Sequence, residues 1–281
     1  MKNILIPTDF SENSWNAIEY GVSFFKKVSC NFYLLHVSPS QNVTHGLSQG
    51  SIDALFNREV ATDDPKQQLN DLLKKVKNLP VIGSNHRFFT IHEHLFFIDA
   101  MRKQVAEKSI DFIVMGTKGA SGIRQRAVGT NTGDVITKVK CPVLVIPEKA
   151  RYKKPETIAF PTDYNIYYKS KILDTITEIL SVNSASLKVL HITKQDQQLT
   201  SLQEKNKDFL DDYLGENIDH SFHSSCNKNM EEAVQCFVEH KEIDIITMIA
   251  KNLNFFQRIL FNPLVEKISY HTEIPFLVLH E

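Results

Sequence analysis

Ile4-Leu5-Ile6-Pro7-Thr8-Asp9-Phe10, close to the start of the chain, returns 154 residues later as Ile158-Ala159-Phe160-Pro161-Thr162-Asp163-Tyr164. In each, apolar residues run into Pro-Thr-Asp and an aromatic ring, the pattern of a buried strand that ends at a polar turn. Three further segments recur in the same order. Leu34-Leu35-His36-Val37 returns as Val189-Leu190-His191-Ile192 at an offset of 155, while 110–115 returns as 243–248 and 141–146 as 274–279, both at 133. Four ordered repeats mark a tandem duplication, and the change of offset makes the second copy shorter in its middle. The charged, proline-bracketed stretch 147–155 divides the chain into 1–150 and 151–281.

Strand and helix patterns alternate within each copy. In the first, the apolar runs 3–7, 32–37, 112–115 and 143–146 suit strands covered on both faces, and the more polar 87–94 suits a strand near a sheet edge. Apolar stripes at helical spacing fall in 14–27, through Ala17, Ile18, Val22 and Phe25, and in 67–76, through Leu69, Leu72, Leu73 and Val76. Segments 97–108 and 130–139 read as two more helices. Five strands and four helices in alternation predict an α/β fold, one doubly wound parallel sheet per copy. The long connection 38–65 reads as a surface loop with helical pieces, placed like a lid.

Composition narrows the functional classes. The 281 residues carry 32 Lys/Arg and 33 Asp/Glu, and a net charge of -1 argues against bulk electrostatic binding of nucleic acid. No apolar run approaches the ~18 residues of a membrane span. The N-terminus lacks the pattern of a signal peptide. Cys30, Cys141, Cys226 and Cys236 show no metal spacing and read as reduced thiols of a cytoplasmic protein. The halves differ sharply: 1–150 holds 18 Lys/Arg and 14 Asp/Glu, a net of +4, and 151–281 holds 14 and 19, a net of -5. Nine of the ten glycines precede Ala150, five of them at 116, 119, 122, 129 and 133.

That glycine stretch follows a buried strand at once. Met115 ends the strand, Gly116-Thr117-Lys118-Gly119 follows, and Gly129-Thr130-Asn131-Thr132 opens the last helix of the copy. Such a cluster is either a tight connection or an anion cradle, in which backbone N–H groups and a helix N-terminus face a ligand. Thr130 and Thr132 add hydroxyls, and Lys118, Arg124 and Arg126 add charge. Asp9 ends the first strand on the same rim, where ligands of parallel sheets bind. Neither a P-loop nor a G-x-G-x-x-G fingerprint is present.

Gly116-x2-Gly119-x9-Gly129-Thr130, with Ile6-Pro7-Thr8-Asp9 upstream and Cys141-Pro142 before the closing strand, resembles the universal stress protein family, in its tandem form. The resemblance covers essentially the whole chain, and the glycine spacing is that of ATP-binding members. It implies a Rossmann-like five-stranded sheet of order 3-2-1-4-5 in each copy. It also implies ATP, with Mg²⁺ carried on the nucleotide, bound in the first copy. Adenine and ribose would lie near Pro7, Thr8, Asp9 and Val37, and phosphates near Met115, Gly116, Lys118, Gly119, Gly129, Thr130, Asn131 and Thr132. The family pairing further implies an intramolecular pseudo-dimer through 143–146 and 276–279, with homodimerisation left open.

The second copy departs from this pattern. At the offset of 133, Gly116, Gly119, Gly129 and Thr130 become Ile249, Asn252, Asn262 and Pro263. Pro263 has no N–H to donate, and Ile249 adds a β-branched side chain where a ligand should approach the backbone. The second copy is therefore expected to keep the fold and lack the nucleotide. His92 and His94 share one face of a strand, a Zn²⁺ geometry or, with no third ligand in view, a solvated edge. His36 and His191 read as structural. No G-x-S-x-G, H-E-x-x-H or paired carboxylates mark a catalytic site. The expectation is an ATP-binding stress-response regulator, its occupancy ordering 119–129 and the lid and read by an unidentified protein partner. A slow ATPase or phosphotransferase and a scaffold without nucleotide are the alternatives.

Overall fold

The computed structural model describes residues 1–38, 64–81, 85–117, 130–193, 198–227, 229–250 and 273–280. The expected lid and the stretch 118–129, with Lys118, Gly119 and Gly129, lie outside them. In the first half the strands are β1 (Lys2–Pro7), β2 (Cys30–Ser38), β3 (His86–His94), β4 (Phe112–Gly116) and β5 (Val143–Ile146). Its helices are α1 (Glu12–Phe24), α2 (Pro65–Lys77), α3 (Phe97–Glu107) and α4 (Thr130–Lys138). The second half contributes β6 (Thr157–Thr162), β7 (Ser186–Thr193), β8 (His220–Cys226), β9 (Ile245–Ile249) and β10 (Phe276–Leu279). Between them run α5 (Ser170–Asn183), α6 (Ser201–Leu214) and α7 (Met230–Lys241).

The strands form one sheet in the order β3-β2-β1-β4-β5-β10-β9-β6-β7-β8. Each half is parallel with the order 3-2-1-4-5, the doubly wound fold expected from the repeat. The halves meet edge to edge where β10 pairs antiparallel with β5, Phe276 opposite Val145 and Val278 opposite Val143. Each five-stranded sheet thereby loses one open edge, and only β3 and β8 remain at the ends.

Alternation along the buried strands builds two core layers that run through both halves. Ile4, Ile6, Val114, Leu144, Phe160 and Leu277 point to one layer, roofed by Ala17 and Ile18 of α1 and by Ile172 and Ile176 of α5. Leu5, Ile113, Met115, Val145, Ala159 and Val278 point to the other, roofed by Met101 of α3, Val135 of α4 and Val234 of α7. Consecutive side chains serve opposite faces, which is why these strands read as unbroken apolar runs. On the first layer α1 comes close to β4: a Cβ added at Gly21 would sit 3.1 Å from Val114 Cγ1.

The structure explains the repeats that are not apolar. Asp111 opens β4 by accepting from the Asn3 N–H, and Asp244 opens β9 by accepting from Glu156 and Thr157 N–H groups, all at 2.8 to 3.0 Å. Before them, Ser109 and Glu242 hold the same left-handed backbone, φ 48° and 50°. All four cysteines are free. Burial pushes the Cys30 and Cys141 thiols up to about 12, so both stay protonated at neutral pH.

Candidate functional site

The chain leaves β1 toward β2 and β3, then returns to the other side as β4. A crevice therefore opens at the carboxyl ends of β1 and β4, the place where doubly wound sheets hold ligands. Ile4 lies opposite Phe112, and carrying that register to the rim sets Thr8 level with Gly116. One wall is thus Pro7-Thr8-Asp9 and the other Gly116 with the first turn of α4. Pro7 and Met115 are buried beneath the rim, Val37 is half-buried at the end of β2, and Asp9 and Asn131 are exposed. Thr130 is the first residue of α4.

Thr132 is buried, and its hydroxyl donates to the Gly116 carbonyl at 2.7 Å. It ties the N-terminus of α4 to the end of β4, which aims the helix's first-turn amides at the crevice.

Pro-Thr-Asp makes a turn with its own hydrogen bonds. Thr8 Oγ1 accepts from the Phe10 N–H at 3.0 Å and lies 3.0 Å from Ser14 Oγ. Asp9 Oδ1 accepts from the backbone N–H and the hydroxyl of Ser11. Ser11 in turn caps α1 by accepting from the Ser14 N–H. These bonds hold Phe10 at φ 62°, a left-handed conformation that otherwise costs about 1–2 kcal/mol. The turn recurs in the second half: Thr162 Oγ1 accepts from Tyr164 N–H, Asp163 Oδ1 accepts from Asn165 N–H, and Tyr164 has φ 55°. Asp163 is therefore retained for a structural reason that needs no ligand.

The second-half crevice, between Thr162 and Ile249, is filled from within. Tyr168 stands where the first half has Ser14, and its fully buried hydroxyl meets Thr162 Oγ1 at 2.7 Å. Tyr164 is buried against His191, with ring centroids 4.9 Å apart. Helix α6 closes over both: Asn206 donates to the Tyr164 carbonyl at 2.7 Å and Gln203 to the Asp163 carbonyl at 2.9 Å. Gln203 also completes a capping box with Thr200, so the cap that starts α6 pins it to the rim. Sequence spacing pointed to none of these plugs. The Ser14-to-Tyr168 change at the offset of 154 was the available signal.

Among the described residues no three His, Cys, Asp or Glu side chains are grouped to hold a metal ion. His92 and His94 lie on the sheet-edge strand β3, His92 half-buried and His94 exposed. No described helix is long and apolar enough to cross a membrane.

Fold and crevice define a doubly wound α/β protein with a rim site at a strand-order switch point. Residues 1–147 match the profile of the universal stress protein family, and the chain belongs to that family. It is 26% identical over 168 residues to universal stress protein MJ0577 of Methanocaldococcus jannaschii, covering 53% of this chain and 96% of that one. To MJ0531 of the same organism it is 27% identical over 158 residues, covering 55% and 84%. Over nearly its whole length the fold is similar to that of a universal stress protein from Archaeoglobus fulgidus, with TM-score 0.63, 17% identity, and 99% and 96% of the two chains covered.

Proposed function

We propose that residues 1–150 bind one ATP as a regulatory ligand and that residues 151–281 bind none. The observation that carries this reading is the contrast between two equivalent crevices. The first presents exposed Asp9, the small Ser14 beside Thr8 and the N-terminus of α4, held to Gly116, while in the second Tyr168 takes the place of Ser14 and Gln203 and Asn206 bond to the rim carbonyls. Pro7, Thr8, Asp9 and Val37 would meet the nucleoside. Met115, Gly116, Lys118, Gly119, Gly129, Thr130, Asn131 and Thr132 would surround the phosphates, whose charge suits the +4 half.

Mg²⁺ would arrive on the phosphates. It keeps several waters and needs only one or two protein oxygens, and Asp9 and Asn131 are exposed oxygen-bearing side chains among the described residues of this rim. The rim carboxylate Asp9 is engaged as an acceptor for Ser11, which suits a ligand-presenting role better than that of a general base. Occupancy of the crevice would then be read by a protein partner, in a cytoplasmic stress response.

Calorimetric titration with ATP and Mg²⁺ tests the reading. The expected result is saturable binding, abolished in the double variant Gly119→Val, Gly129→Val, whose melting temperature without ligand stays within a few degrees of wild type. Unaltered binding in that variant refutes the assignment, and its absence in the wild type leaves the scaffold alternative.

A further inference from the structure

Beside the Thr8–Asp9 turn a pair of rings found in both halves is extended, in the first half, into a row. Phe10 lies against His36 with centroids 4.5 Å apart, His36 against His92 at 5.6 Å, and His92 against His94 at 4.4 Å. The β2–β3 register makes the row, setting His36 opposite His92 and Ser38 opposite His94 on one face. In the second half the same register sets His191 opposite Ser224 and Thr193 opposite Cys226. His191 still pairs with Tyr164 and its Nδ1 lies 3.1 Å from the Thr162 carbonyl oxygen, so the rings confined to the first half are those that back the pair, His92 and His94.

His36 Nδ1 lies 2.9 Å from the Thr8 carbonyl oxygen. A carbonyl only accepts, so Nδ1 carries the proton of this bond. Ser38 Oγ lies 2.9 Å from His92 Nε2. The charged groups facing His92 from α2 are Asp64 and Lys66, which act on it in opposite senses. Glu93 points to the other face, where Lys103 and Gln104 donate to it, both at 2.7 Å. Burial, then His94, His36 and Lys66, hold His92 below its ordinary value. The folded state therefore favours the neutral ring, and acidification works against this arrangement.

We propose that His36, backed by His92 and His94, is a positioning residue for the nucleotide crevice: the row holds the Thr8–Asp9–Phe10 turn, and a charge placed on His92 loosens the turn and lowers nucleotide affinity. This rests on the ATP reading above. Positive charge here acts on the turn rather than on the phosphates. β2 and β3 lie on the far side of β1 from β4, so at about 4.8 Å per strand step His36 is roughly 10 Å and His92 roughly 14 Å from the Gly116 side. The turn, by contrast, is in direct contact with His36.

The test compares the full-length wild type with the double variant His92→Asn, His94→Asn, near neutral pH and about two units below it, by two readouts. One is MgATP affinity; the other is exchange protection of the Thr8 and Phe10 amides, corrected for intrinsic rates. Acidification should weaken ATP binding about tenfold in the wild type, within the usual range of coupling between sites, and less than about twofold in the variant. Thr8 and Phe10 protection should fall with it in the wild type alone. Thr162 and Tyr164, in the matching turn where Ser224 rather than a histidine backs His191, should keep theirs in both proteins. Equal pH dependence in the two proteins, or an equal loss at Thr162 and Tyr164, overturns the proposal. Absence of ATP binding near neutral pH overturns the nucleotide reading instead, and amide exchange then decides alone whether the row controls the turn. If the double variant does not fold, His94→Asn repeats the comparison at the exposed end of β3, and an unchanged profile there also overturns the proposal.

Discussion

Asp9 and Asp163 make the same local turn, yet in the proposed function only Asp9 meets a nucleotide. Alanine at either position removes an acceptor for a backbone N–H. Each substitution should therefore lower stability by about 1 kcal/mol, a melting shift of roughly 2–4 °C for a chain of this size. Only Asp9→Ala should also weaken ATP binding. A matched loss of affinity in Asp163→Ala, measured by calorimetry, would show that the second crevice takes part. Tyr168→Phe keeps the ring and deletes the hydroxyl that meets Thr162, so it should destabilise by about 1 kcal/mol and create no second site. The turn was legible as Pro-Thr-Asp, but its dual role was not. A carboxylate at a strand end looks the same in sequence whether it accepts from its own backbone or from a ribose.

At the scale of the elements, the junction between the halves carries the largest expected penalties. Leu277 of β10 is buried opposite Leu144 of β5 in the antiparallel pair, so Leu277→Ala should cost about 2–5 kcal/mol by denaturant titration. His280, just past β10, adds a pH dependence. Burial, and secondarily Lys140, lowers it to about 4 from the ordinary 6.5, and its buried Nε2 has no hydrogen-bond partner among the described residues. A depressed histidine is neutral in the fold and protonated more readily when unfolded. Its contribution is therefore complete above pH 6.5 and is lost as pH falls from there toward 4. His280→Phe should flatten the fall in the denaturation midpoint over that window, and an unchanged slope would remove His280 as its source. The strands and helices were legible because β1, β4, β5 and β10 are buried on both faces and α1 and α2 carry apolar stripes. The plug formed by α6 was not, because Gln203 and Asn206 act through carbonyls contributed by another element. Neither residue has a spacing that declares such a role.

For the whole molecule, the duplication has produced two halves of one sheet, to which the proposed function gives different roles. The antiparallel β5–β10 junction turns two five-stranded sheets into ten continuous strands and lets both core layers run through the molecule. The family and the tandem fold followed from repeats and glycine spacing. The contrast between an open and a filled crevice needed coordinates, because it depends on side chains that converge from β6, α5 and α6. The charge asymmetry, +4 against -5, falls the way a polyanion in the first half requires. The central claim is a count of nucleotides, and calorimetric titration of the full chain with ATP and Mg²⁺ measures it directly. The account predicts a stoichiometry near one ATP per chain, and two per chain, or none, would contradict it.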